Sequence, residues 1–100
     1  MIRGTTPTHT FHLPFGVDEI KSLCVCYAQR GEVIFKKSKE DCTLAGTSVS
    51  LRLGQEETLR FVAGDRMQIQ LRVLTHSGDV FASRLLGACV EDCLCEEVLE

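Results

Sequence analysis

The stretch Arg66-Met-Gln-Ile-Gln-Leu-Arg-Val-Leu-Thr75 limits the possible folds more than any other part of this chain. Met67, Ile69, Leu71 and Val73 fall at every second position, with Gln68, Gln70 and Arg72 between them. Alternation of period 2 sends one set of side chains to a core and the other to water, which describes a strand buried on one face. His76-Ser-Gly-Asp79 breaks the pattern with residues that accept turn geometry, and a second β-prone run, Val80 to Ala88, follows. The two runs predict the central hairpin of an all-β domain.

The rest of the chain repeats this grammar. Thr8 to Leu13 alternates, with His9, Phe11 and Leu13 on one side and His12 on the other, and Pro14-Phe-Gly16 ends it. Asp18 to Lys21 reads as a short turn with Ile20 tucked beneath the sheets. Ser22 to Gln29 sets Leu23, Val25 and Tyr27 inward and Cys24, Cys26 and Ala28 outward. Arg30-Gly31 is a two-residue turn, and Glu32 to Ser38 returns with Val33 and Phe35 inward and Ile34 opposite. Glu40 to Gly46 is a loop or a short strand around Cys42; Thr47 to Leu53 then buries Val49, Leu51 and Leu53. Gly54 to Phe61 is the one place with helix chemistry, acids first and Arg60 near the end, and its spacing puts Leu59 and Val62 on one face. It is long enough for a single helical turn.

Strands at this spacing, with short turns and no long helical period, predict an immunoglobulin-like antiparallel β-sandwich of six to seven strands, with a small barrel as the alternative. The sandwich is expected over 1–90, with an acidic, cysteine-containing tail over 91–100. One hundred residues suit one domain with its own core, and 44% apolar with 25% charged residues argues against disorder. A net charge of −3 gives no electrostatic reason to expect nucleic acid or an anionic membrane as partner. The apolar runs are only a few residues long, and the opening Met1-Ile-Arg-Gly-Thr-Thr-Pro7 carries no apolar signal region, so a reducing cytoplasm is the expected setting.

That setting weighs on the six cysteines, because disulfides belong to oxidising compartments. Cys24 and Cys26 share one face of a strand, and Cys93 and Cys95 repeat the spacing in the tail, so the four together are a candidate thiolate set for zinc or for redox response. Cys-x-Cys on a flat strand is a poor chelate, and free thiols packing as small apolar groups are the expected state. His9 and His12 lie three apart, on opposite faces, and do not form a joint ligand pair. Glu56-Glu57 and Glu96-Glu97 read as solvated acids, and Lys36, Lys37 and Lys39 as charges that blunt a sheet edge. No catalytic, nucleotide or cofactor motif stands out, so neither enzymatic activity nor a cofactor is expected. Val80, Phe81, Leu85 and Leu86 place apolar residues on both faces of the last strand. That pattern calls for cover by the tail or by another subunit, and these four residues are the candidate contact surface.

Three short pieces carry a resemblance: Gly4-Thr-Thr-Pro7 leading into Phe11-His-Leu-Pro-Phe15, Tyr27-Ala-Gln29 before Gly31, and Gln55-Glu-Glu-Thr58 before Gln68-Ile-Gln-Leu-Arg-Val73. Over roughly residues 1–88 the chain resembles small uncharacterised proteins of Firmicutes prophages found among tail and structural genes. It is similar, more loosely, to the immunoglobulin-like N-terminal domain of phage baseplate upper proteins. The cysteines are not part of the shared pattern. The resemblance implies a structural or assembly role in a virion, in the bacterial host cytoplasm during assembly, with protein partners and no chemistry attached. The partners it implies are another copy of the chain, as a homo-oligomer, or other phage structural proteins.

Overall fold

The alternating residues 66–75 form one of the two ten-residue strands at the centre of the molecule, paired with the other along nine positions. The computed structural model describes residues 1–100, in which eight strands form: β1 (Thr8–His12), β2 (Ile20–Gln29), β3 (Glu32–Ser38), β4 (Thr43–Ala45), β5 (Ser48–Arg52), β6 (Arg66–Thr75), β7 (Val80–Ala82) and β8 (Leu86–Cys89). A single helical turn, α1 (Gln55–Thr58), follows β5, and 3₁₀ turns occupy Val17–Glu19 and Lys39–Asp41. The strands make two antiparallel sheets, one ordered β1-β5-β4 and the other β3-β2-β6-β7, with β8 beside β6 further along the same edge. The result is an all-β sandwich. Read as B, C, C′, D, E, F and G, with β7 and β8 sharing the last place, the strands divide between the sheets in the immunoglobulin order.

The core follows from the alternations. Val25, Tyr27, Val49, Leu53, Phe61, Met67 and Val73 are buried between the sheets, as is Ile20, which opens β2 instead of sitting in a turn. At the β2–β3 hairpin Arg30 and Gly31 have φ of 57° and 78°. Two successive positive values make the turn whose twist matches the strands it joins, and glycine adopts the second without a side-chain penalty.

Several expectations are corrected. Val33 is not inward: a bulge leaves Ile34 unpaired, so Phe35 faces Tyr27 while Val33 faces the outward Ala28 and is 53% exposed. One extra residue reverses the parity of everything beyond it. On the helical turn the buried residues are Thr58 and Phe61, whereas Val62 is exposed and Leu59 only half-buried. The expected continuous last strand is split in two, which raises the count to eight. At Ser83 the backbone N–H still donates to Leu71 O, but the Ser83 hydroxyl accepts from Leu71 N. The Ser83 carbonyl is taken instead by Gln70 Nε2. The register then slips by one residue, from Arg72 facing Ala82 to Ile69 facing Leu86.

The tail is tied to the beginning of the chain. Arg3 Nη1 donates to Asp92 and Glu96, each at 2.7 Å, and Ile2 forms a parallel bridge with Glu91. Leu99 N donates to Gln55 Oε1 and its carbonyl accepts from Gln55 Nε2. No helix is long and apolar enough to cross a membrane.

Candidate functional site

The two flanks of the sandwich differ, and the difference locates the candidate site. Where β3 meets β4, the chain itself crosses between sheets through the 3₁₀ turn Lys39–Asp41. The Tyr27 ring stacks on Phe35 at 4.9 Å between centroids, and Phe61 meets both rings edge-on. Lys37 reaches Glu57 in an ion pair, Arg60 Nη2 donates to Ile34 O, and both cations lie over the Phe35 ring. Burial pushes the Glu57 carboxyl up, but Lys37 and the Gly54 N–H outweigh it, leaving Glu57 below the usual carboxylate range. The sequence reading of Glu57 as a solvated acid and of Lys37 as a charge that blunts a sheet edge is therefore corrected for this pair. Lys37 shares the inward parity of Val25, and the only sequence signal for the pair was the acid placed three residues after Gly54. Lys36 does face outward, and Lys39 Nζ donates to Ile20 O.

The opposite flank is open. β1 pairs only with β5, and β7 and β8 pair only with β6, so one backbone edge of each sheet lies on this side, and no turn of the chain bridges them as the Lys39–Asp41 turn bridges β3 and β4. Between them is a cleft of about 420 Å³ with a mainly apolar lining, including Phe11, Leu13, Phe15, Leu71, Phe81 and Leu86. In immunoglobulin sandwiches of the constant type this edge of the sheet carries a further strand. Only Met1–Arg3 runs beside the end of the last strand here, with the Met1 ammonium donating to Cys89 O, Glu91 N donating to Met1 O and Arg3 N donating to Glu91 O.

The four predicted contact residues all lie at this edge, and all are exposed: Val80 55%, Phe81 46%, Leu85 60% and Leu86 48%. They are not arranged as the alternation implied. Phe81 faces the inward Val73, and the one-residue slip turns Leu86 to face the inward Ile69. Phe81 and Leu86 therefore share the cleft, Val80 stays on the outer face opposite Leu74, and Leu85 sits at the slip. The tail bonds to Arg3 and Gln55 and leaves these side chains uncovered. Phe15, whose ring lies 5.2 Å from that of Phe81, was missed as a site residue. Its only signal was an aromatic following a proline at a strand end.

The groups with chemical potential are dispersed. His9 Nδ1 and the Tyr27 hydroxyl are hydrogen bonded at 2.8 Å. Burial lowers the imidazole pKa and raises that of the phenol, so both shifts favour the neutral forms. His12 Nδ1 lies 3.2 Å from Ser48 Oγ across the β1–β5 ladder. The pair is exposed and no carboxylate hydrogen-bonds the ring to orient it as a base, so it reads as a cross-strand contact. Cys24 Sγ and Cys26 Sγ are 3.6 Å apart on β2, whereas Cys93 Sγ donates to its neighbour's carbonyl, Cys95 O. The structure does not bring the two cysteine pairs together, and nowhere do three His, Cys, Asp or Glu side chains converge as metal ligands. No family model, curated protein or solved structure matches the chain.

Proposed function

We propose that this protein is a non-enzymatic structural or assembly module of phage or prophage origin, working by protein–protein contact through the open flank of its sandwich. The observation that carries the reading is the cleft between β1 and β7–β8, where an apolar lining meets two free strand edges. An extended segment laid there gains main-chain hydrogen bonds from an edge and side-chain burial from the cleft, which is strand addition. The partner is another copy of the chain or a second virion component, and the setting is the bacterial host cytoplasm during assembly and then the virion. The phage origin rests on the short motifs around Gly4–Phe15, Tyr27–Gln29 and Gln55–Val73. The edge strands β7 and β8 are short, which limits uncontrolled pairing of the free protein.

Amide hydrogen exchange at rising protein concentration tests the reading. Slower exchange confined to β1, β7 and β8 is the expected result. Protection centred on β3 and β4, with the open flank unchanged, would move the contact elsewhere.

A further inference from the structure

On the outer face of the five-stranded sheet, away from the cleft, Cys24 and Cys26 lean together until their sulfurs are 3.6 Å apart, and neither is in a disulfide. Residues two apart on a strand have Cα atoms about 6.6 Å apart, close to the far limit that a disulfide spans. Drawing the sulfurs to about 2 Å favours a shorter Cα spacing, nearer the common value of about 5.5–6 Å, and so a contraction of the strand. β2 resists this, being laddered to β3 on one side and β6 on the other. The pair is thus held close as a dithiol and kept from closing on itself. We propose that Cys24 and Cys26 form a two-sulfur site for a soft monovalent cation, Cu(I).

The donor set selects the ion. Zinc takes four ligands, and no third His, Cys, Asp or Glu converges on this pair. Cu(I) is soft, prefers thiolate, and accepts two ligands. Sulfur-to-metal bonds of about 2.2–2.3 Å span the present separation in a bent arrangement, and the Cα spacing lets the half-buried thiols open toward a linear one. Binding forms two S–Cu bonds and releases two thiol protons to solvent, with no change of oxidation state. The bis-thiolate complex carries one negative charge. Lys36 stands directly opposite Cys26 and Arg72 directly opposite Cys24, one on each neighbouring strand, so a cation flanks each sulfur on the same face. Burial and the neighbouring Cys24 raise the Cys26 pKa, and both cations act against that rise. Nothing in this site depends on the open flank.

The test is anaerobic titration of the reduced, full-length protein against the coloured Cu(I)–bicinchoninate complex. The wild type should withdraw one equivalent first, and the Cys93→Ser/Cys95→Ser variant should do the same. The Cys24→Ser/Cys26→Ser variant should lose that equivalent while keeping its thermal melt. On the wild type alone, the first equivalent of Cu(I) should shield Cys24 and Cys26 from iodoacetamide, read by peptide mass spectrometry, which needs no variant to fold. No uptake, uptake that survives loss of Cys24 and Cys26, or shielding of Cys93 and Cys95 instead would overturn the assignment. So would zinc held against EDTA in a Cys24- and Cys26-dependent manner.

Discussion

On the flank where β3 turns into β4 the chain bridges its own sheets, and Tyr27, Phe35 and Phe61 fill the seam with stacked and edge-on rings. On the flank where β1 faces β7 and β8, Phe15 and Phe81 also meet, yet they line an open cleft and Phe81 remains 46% exposed. The same residue type thus does two jobs in one sandwich. An aromatic sealed from water holds the fold, and an aromatic left at a free edge is available to something outside it.

Two truncations make the comparison quantitative. Phe61→Ala should cost about 3–5 kcal/mol in urea unfolding, because it empties a fully buried position, whereas Phe81→Ala should cost about 1 kcal/mol or less. Equal losses would remove the distinction between the flanks. Next in size is Gln29, buried at the end of β2, whose Oε1 accepts from Val62 N and whose Nε2 donates to the carbonyls of Val62 and Asp65. Gln29→Ala strands those groups and should destabilise by about 1–3 kcal/mol by the same measurement.

A smaller effect is expected from pH. His9 has a folded pKa below its ordinary 6.5 because burial disfavours the imidazolium. The unfolded chain therefore binds the proton more readily, and stability falls as pH drops below 6.5 toward the folded value. The urea midpoint should decrease between about pH 7 and pH 5, and His9→Phe should flatten that slope. The carboxylates Glu57 and Asp92, both lowered, act only in stronger acid, where stability is lost as pH falls through their folded values. Smallest is Val33→Thr, expected within about 0.5 kcal/mol because the bulge turns Val33 to solvent.

Those predictions also mark where the sequence was readable. The inward sets of β2, β5 and β6 follow from uninterrupted alternation, and Val25, Val49, Leu51, Met67 and Val73 are buried as their positions require. Parity failed where one residue was inserted. Nothing in Glu32-Val-Ile-Phe35 announces that Ile34 will bulge, because each apolar residue there suits either face of a strand. Ser83 gave no warning either, since its hydroxyl replaces a ladder carbonyl only once Leu71 is opposite it. That slip gathers Phe81 and Leu86 into one cleft, so the contact residues were legible as types and their common direction was not. The Cys24–Cys26 approach was likewise hidden, because sharing a face fixes direction and not how far two sulfurs lean together.

The measurement that bears most directly on the open flank is native mass spectrometry of the reduced, untagged protein beside its Leu86→Glu variant. A carboxylate in the cleft opposes burial of the edge while leaving the half-exposed position able to fold. The account predicts a wild-type oligomer that becomes a folded monomer in the variant. An oligomer of unchanged mass in Leu86→Glu would contradict it.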